Sequence, residues 1–294
     1  MQTIAFAGLG AMGLPMAKNL LKAGFNVRGI DLNPTALDSL KQAGGQLASS
    51  VQEAAAGADM LILMVVNAGQ AEQVLFDQGA LAALNPEGTV CLMATCPQGQ
   101  VAQIAARVMA QGRQFIDAPV SGGVVGAEAG SLTIMAACPE QTYAEQLAVF
   151  QAVGERIFHV GEKPGQGAVV KTVNQLLCGV HIAVVAEAIS LAAKVGVDLD
   201  ILLEIMGGSA ASSWMLKNRG PRMLESEPEV TSAVDIFVKD LGIVLETGRE
   251  VQAALPLAAS AHQMFLSTSG RGDGRADDSQ VIRSYHLLNG VARD

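Results

Sequence analysis

The chain has 294 residues, of which 50% are hydrophobic and 16% charged, with a formal net charge of −9. That length predicts two domains rather than one. The acidic balance, with no Lys/Arg run and no aromatic platform, excludes nucleic acid as a partner and leaves room for a local cationic pocket that takes an acidic metabolite.

Thr3 to Ala7 reads as a short apolar strand running into Gly8-Leu9-Gly10-Ala11-Met12-Gly13, followed by an amphipathic helix that closes at Gly24. Phe25 to Asp31 is predicted as a second strand and Pro34 to Ala43 as a helix opened by Asn33. Ala58 to Val66, ADMLILMVV, has the continuous apolar character of a strand buried on both faces. Further strands are expected at Thr89 to Ala94, Phe115 to Pro119, Leu132 to Ala136 and Ile157 to Val160. Helices lie between them at Gln70 to Phe76, Gln98 to Gln111 and Gln141 to Val153. Alternating strand and helix is the pattern of an α/β fold with a doubly wound, mostly parallel sheet.

After Gly161 the texture changes and only helices are expected. The turn-rich GEKPG places the boundary there, giving an N-terminal domain over 1–162 and an all-helical domain over 163–294. The second domain opens on Gly165 to Gly196, one long helix of roughly 40 Å. It is apolar on nearly every side, which predicts burial. Lys171, Asn174, Gln175 and Cys178 share one of its faces. Shorter helices follow near 199–206, 212–225, 233–252, 255–268 and 277–289. The Arg271-Gly272-Asp273 triplet reads as a loop leading to a helix cap at Asp277 or Asp278.

Gly8-x-Gly10-x-x-Gly13 stands where a dinucleotide fingerprint must stand: after a strand, at the opening of a helix, with an acidic residue, Asp31, at the end of the next strand. Glycines there let the backbone turn tightly and approach a pyrophosphate at the helix N-terminus. A carboxylate at Asp31 accepts from a ribose 2′-hydroxyl and repels a 2′-phosphate, so NAD is expected rather than NADP. Asp117-Ala118-Pro119-Val120-Ser121-Gly122-Gly123 is a second signal, a turn able to expose successive N–H groups to an anion. Read alone it is a turn. Lys171 and Lys239, each within an apolar helical segment, are the remaining candidates, Lys239 with Asp240 beside it as an ordinary ion-pair partner. Cys91, Cys96, Cys138 and Cys178 show no metal-ligand or disulfide spacing, so reduced thiols and no metal are expected. The N-terminus lacks a basic leader region, no uninterrupted uncharged apolar run of about 18 residues appears, and a cytoplasmic, membrane-free protein follows by elimination.

Taken together, FAGLGAMGLPMAKNL, DAPVSGG, GxGxxxKxxNQ and KDLG, in this order and spacing, resemble the β-hydroxyacid dehydrogenase (3-hydroxyisobutyrate dehydrogenase-like) family over essentially the whole chain. The downstream stretches MVVNAGQAEQVLF, NQLLCGVHIAVVAEA, SSWMLKNR and SAVDIFVKDLG are most similar to its L-threonate dehydrogenase branch. The resemblance implies a Rossmann domain, a helical domain and an active site in the cleft between them. It implies Lys171 as the catalytic lysine with Asn174 assisting, and Ser121, Gly122 and Gly123 as the cradle of the substrate carboxylate. Gly8 through Gly13, Asp31, Val65, Thr95 and Lys239 fall at cofactor positions. Some members have Asn where this chain has Gln175, so either Asn174 or Gln175 holds the substrate.

The activity so implied is oxidation of a small hydroxy acid, with hydride passing to NAD and a proton to Lys171. A lysine ordinarily titrates near ~10.4, so base catalysis needs burial or a neighbouring cation. The expected substrate is a sugar acid such as L-threonate. The alternatives are 3-hydroxyisobutyrate or tartronate semialdehyde, or a non-catalytic NAD-binding protein. So apolar a helical domain also predicts a homo-oligomer, dimer or tetramer.

Overall fold

The computed structural model describes residues 1–291. The chain divides into two compact units, Met1–Lys171 and Thr172–Asp294. In chain order the first holds β1 (Thr3–Ala7), α1 (Gly13–Lys22), β2 (Asn26–Ile30), α2 (Pro34–Gln42), β3 (Gln46–Leu47), α3 (Val51–Ala55), β4 (Met60–Leu63), α4 (Ala68–Glu72), α5 (Ala80–Ala83), β5 (Thr89–Leu92), α6 (Gln98–Met109), β6 (Gln114–Asp117), β7 (Val120–Ser121), α7 (Gly123–Ala129), β8 (Leu132–Ala137), α8 (Glu140–Val153) and β9 (Gly154–Gly161).

Six strands pair in parallel in the order β3-β2-β1-β4-β5-β6. The sheet then reverses: β8 runs antiparallel to β6, meeting it at Asp117 and Ala137, continues in the same register along β7, and pairs in parallel with β9. The doubly wound, mainly parallel sheet expected from the strand–helix alternation is therefore present. Side chains of one strand alternate between the two faces. Met60 and Ile62 of β4 join Ile4, Phe6 and Ile116 in one core, packed under Met16 and Leu20 of α1 and Phe150 of α8. Leu61 and Leu63 join Ala5, Ala7, Val90 and Leu92 in the other, under Ile104 and Val108 of α6. All four β4 side chains are buried, which is why that strand carries no polar alternation.

The second unit is helical. α9 (Gln166–Val195) begins in the first unit and continues through the division at Lys171, and α10 (Leu199–Gly208), α11 (Trp214–Met223), α12 (Val234–Glu250), α13 (Pro256–Thr268) and α14 (Ile282–Asn289) follow. Ile182, Ala186 and Ile189 of α9 pack with Phe237, Leu241 and Val244 of α12 and Phe265 of α13. Phe237 and Phe265 stack with centroids 5.2 Å apart. Two aspartates tie this unit together. Asp278 receives Arg219 through two bonds of 2.6 and 2.9 Å, and Asp277 pairs with Arg222 at 2.6 Å while accepting from Ser279 N–H to cap the 3₁₀ turn Asp278–Val281. The cap expected after the Arg271–Asp273 loop is thus Asp277.

One expectation fails. α9 is not buried all round: Val173, Leu177, Val184 and Leu191 are exposed, Leu191 by 62%. By length and composition it is apolar enough to cross a membrane, with 44% of its most apolar window buried. Mean hydropathy hid this, because one face carries core residues and the other carries valines and leucines that none of the described residues covers.

Candidate active site

The carboxyl ends of β1, β2, β4 and β5 lie side by side, and the first unit's candidates follow them. β1 sits between β2 and β4, the point where the chain reverses its direction of winding and where such sheets bind ligands. Gly8 adopts φ +97° and donates its N–H to Ile30 carbonyl at 3.1 Å. A Cβ on Gly8 would lie 2.4 Å from Met64 O and 3.3 Å from Val65 N, and one on Gly13 would lie 1.9 Å from Gly8 O. Both positions are closed to any larger residue. Gly10 differs: a Cβ there meets nothing within 4 Å. The loop is thus packed hard from below and open above, with Gly10 and Ala11 exposed and Leu9 and Gly13 buried beneath them. Met12, half-buried, is the last residue before α1. This is the shape a dinucleotide cradle requires, and the residues present fit the group.

Asp31 holds the loop's edge. One carboxylate oxygen accepts from Leu9 N–H at 2.5 Å and the other from Asn33 N–H at 2.7 Å. Val65 follows β4 beneath the glycine loop, and Thr95 follows β5 in the next connection. Ser121 ends β7, opposite Thr133, and Gly122 and Gly123 take φ +135° and +62°, backbone angles that side chains rarely adopt.

Sequence inspection gave Asp117 no role beyond its motif. The structure makes it the cap of α9. Its side chain is 1% exposed, and its Oδ2 accepts from Gly165 N–H and Ala168 N–H at 2.9 Å each, with Gly167 N–H as a further donor. A Cβ on Gly167 would collide with Met135 O at 2.5 Å and Asp117 O at 2.8 Å, so the first turn of α9 lies directly on the sheet. Burial pushes the Asp117 carboxyl up to about 6, against the lowering effect of those N–H groups. An acidic residue directly after the buried Phe115 and Ile116 was the available signal: such a carboxylate must find donors. One turn after Ala168 comes Lys171, 7% exposed. Its backbone is therefore fixed by β6 through Asp117.

In the second unit Gln175 is also 7% exposed and Asn174 half-buried. Gln175 Nε2 donates to Asp240 Oδ2 at 2.5 Å, and Asn174 Nδ2 donates to Gln175 Oε1 at 2.8 Å and lies 3.4 Å from Cys178 Sγ. Asp240 Oδ1 is 3.0 Å from Lys239 Nζ, an ion pair outside hydrogen-bonding geometry. The pairing read from adjacency in KDLG is present, and Asp240 has in addition a partner 65 residues away. Among the described residues no cluster of His, Cys, Asp and Glu has the makings of a metal site.

Comparison with known proteins shows the family. The family model for the NAD binding domain of 6-phosphogluconate dehydrogenase matches residues 3–161, and that for the NAD-binding region of NADP-dependent 3-hydroxyisobutyrate dehydrogenase matches 165–285. An L-threonate dehydrogenase of Cupriavidus necator is 44% identical over 285 residues, covering 97% of this chain and 96% of its own. A 3-hydroxyisobutyrate dehydrogenase of Pseudomonas aeruginosa is 38% identical over 274 residues, covering 90% and 91%. A crystal structure of 3-hydroxyisobutyrate dehydrogenase from Salmonella typhimurium matches with a TM-score of 0.92 and 40% identity, over 96% of this chain and 99% of that one.

Proposed function

The chain belongs to the 3-hydroxyisobutyrate dehydrogenase-like family of NAD-dependent hydroxy acid dehydrogenases, and from that premise we propose that it oxidises L-threonate beside its carboxylate to the 2-oxo acid. Identity of 44% across nearly the whole length of an L-threonate dehydrogenase carries the choice of acid. In this reading Ser121, Gly122 and Gly123 hold the substrate carboxylate. Lys171 exchanges the hydroxyl proton at its Nζ, and Asn174 orients the reacting carbinol. Bound NAD supplies the hydride acceptor. Gly8 through Gly13, Val65 and Thr95 receive the cofactor with Lys239, and Asp31 holds its ribose and so selects NAD over NADP.

The observation that supports Lys171 as the working group is its burial one turn beyond a helix start pinned by Asp117. Buried lysines are rare without a task or a partner. General acid–base assistance contributes on the order of 10² to 10⁴ in rate. We take residues 1–162 as the cofactor-binding domain and 163–294 as the helical one.

The exposed apolar face of α9, together with α10, none of whose residues is buried, is read as the seat of a second copy in a cytoplasmic homo-oligomer. A bilayer is the poorer occupant, since Lys171 and Gln175 stand buried on the same helix. Light scattering on the purified protein tests this, and a monomer at micromolar concentration contradicts it.

The function is tested by following NADH at 340 nm with a panel of acids: L-threonate, 3-hydroxyisobutyrate, and tartronate semialdehyde in the reducing direction. L-threonate is expected to give the highest kcat/KM. Preference for 3-hydroxyisobutyrate or the semialdehyde replaces the substrate but keeps the chemistry. Silence across the panel revives a non-catalytic NAD-binding protein.

A further inference from the structure

The amide pair on α9 has a direction, and one residue sets it. A carboxylate only accepts hydrogen bonds, whereas a primary amide has one donating and one accepting edge. Asp240, 2% exposed, receives the Nε2 of Gln175. With that nitrogen committed, the Oε1 of Gln175 is the edge left to face Asn174, and it accepts from Asn174 Nδ2 at 2.8 Å. The same nitrogen of Asn174 faces Cys178 Sγ. Asn174 therefore turns its donor edge along the helix toward Gln175 and Cys178, and its carbonyl oxygen lies on the opposite edge.

We infer that Asp240 is a positioning residue: through Gln175 it fixes the sense of the Asn174 side chain, presenting Asn174 as a hydrogen-bond acceptor. This rests on the reading that Asn174 orients the reacting carbinol, and it deepens that reading in two ways. Asn174 is the amide that meets substrate and Gln175 is the relay behind it. The substrate group that Asn174 recognises is a donor, the hydroxyl next to the one whose proton passes to Lys171, and not the carboxylate, which has no proton to give at neutral pH. Reversal of the relay would set an N–H₂ where a hydroxyl proton is directed, leaving two donors opposed.

The test uses the full-length protein and five variants: Asn174→Ala, Asp240→Asn, Gln175→Leu, the double exchange Asp240→Asn with Gln175→Glu, and Asn174→Ala combined with Asp240→Asn. The double exchange moves the carboxylate one step along the relay. The new amide at 240 donates to the new carboxylate at 175, which still accepts from Asn174, so the sense of Asn174 is restored. Asp240→Asn, which offers Gln175 a donor as well as an acceptor and so no longer fixes its sense, and Gln175→Leu, which removes the relay, are each expected to lower kcat about tenfold, the size of one misdirected hydrogen bond, with a smaller change in KM for L-threonate. The double exchange is expected to recover most of that loss. NAD affinity, followed separately by cofactor fluorescence, isolates the change at Lys239. A double exchange no more active than Asp240→Asn overturns the relay, as does a Gln175→Leu enzyme of wild-type kcat. Thermal melting supplies a readout independent of turnover: Tm shifts of Asn174→Ala and Asp240→Asn should be non-additive, since both break one chain of bonds. Additive shifts overturn the inference even if L-threonate proves not to be the substrate. Unchanged kcat in Asn174→Ala removes the catalytic reading of that amide, while the melting cycle still decides whether the relay exists.

Discussion

Two buried aspartates govern the two ends of one stretch of helix, and they do so by different means. Asp117, in the sheet unit, reaches α9 through backbone N–H groups of Gly165, Gly167 and Ala168. Asp240, in the helical unit, reaches it through a side-chain amide, Gln175. A carboxylate bonded to backbone fixes where a helix starts and how it lies. A carboxylate bonded to a side chain fixes what that side chain presents. The first should therefore register mainly in stability and the second mainly in turnover.

The largest separation is expected from removing each carboxylate outright. Asp117→Ala strips acceptors from several buried N–H groups at about 1–3 kcal/mol each, a loss that can unfold a marginal protein. Thermal unfolding should show the fall directly. The Asp240→Asn enzyme should lose less Tm than Asp117→Ala while losing turnover. Equal losses of Tm in the two variants would erase the distinction.

A finer test is pH. The Asp117 carboxyl stands at about 6 in the folded protein against an ordinary 3.8, raised by burial. Between those values the folded state binds the proton more tightly than the unfolded state. Stability from this group is therefore fully present below pH ~4 and is lost as pH rises through about 6, by up to about 3 kcal/mol at ~1.4 kcal/mol per pKa unit. Asp117→Asn has no such titration. The difference in unfolding free energy between Asp117→Asn and wild type should shift in favour of the variant from pH 4 to 7 and then level off. A difference that stays constant across that range would mean that the cap is paid no charge penalty.

Two glycines on the same helix give the smallest contrast. A methyl at Gly167 meets backbone oxygens of Met135 and Asp117, which cannot move without shifting strands. A methyl at Gly179 meets only the Leu241 side chain at 2.8–3.0 Å, which can take another rotamer. Gly167→Ala should cost about 1–3 kcal/mol by overpacking, and Gly179→Ala less. The reverse order in denaturant unfolding would show that the sheet side of α9 is the softer one.

How much of this was legible beforehand follows from the same distinction. β1, β4 and β5 announce themselves because burial on both faces demands unbroken apolar runs. β3 and β7, two residues each, carry no period to read, and the short helices α3, α5 and α7 are equally illegible in the sequence. The glycine loop and Asp31 were legible because their constraint is local: a turn, a close approach and a strand end within about thirty residues. The long helix was found but misjudged, since composition reports apolarity and not which face finds a neighbour. The different surroundings of Asn174 and Gln175 were out of reach, because the carboxylate that holds Gln175 lies 65 positions away. Asp117 is legible within its motif but not as a helix cap, for the same reason: its partners lie 48 and 51 residues on.

The central claim is that Lys171, held by the capped first turns of α9, performs the proton transfer of hydroxy acid oxidation. Its most direct test is kcat of Lys171→Ala with saturating NAD and L-threonate, with the NAD dissociation constant measured on the same sample. The account predicts a fall in kcat of at least about 10² with NAD affinity nearly unchanged. A kcat within tenfold of wild type would contradict it.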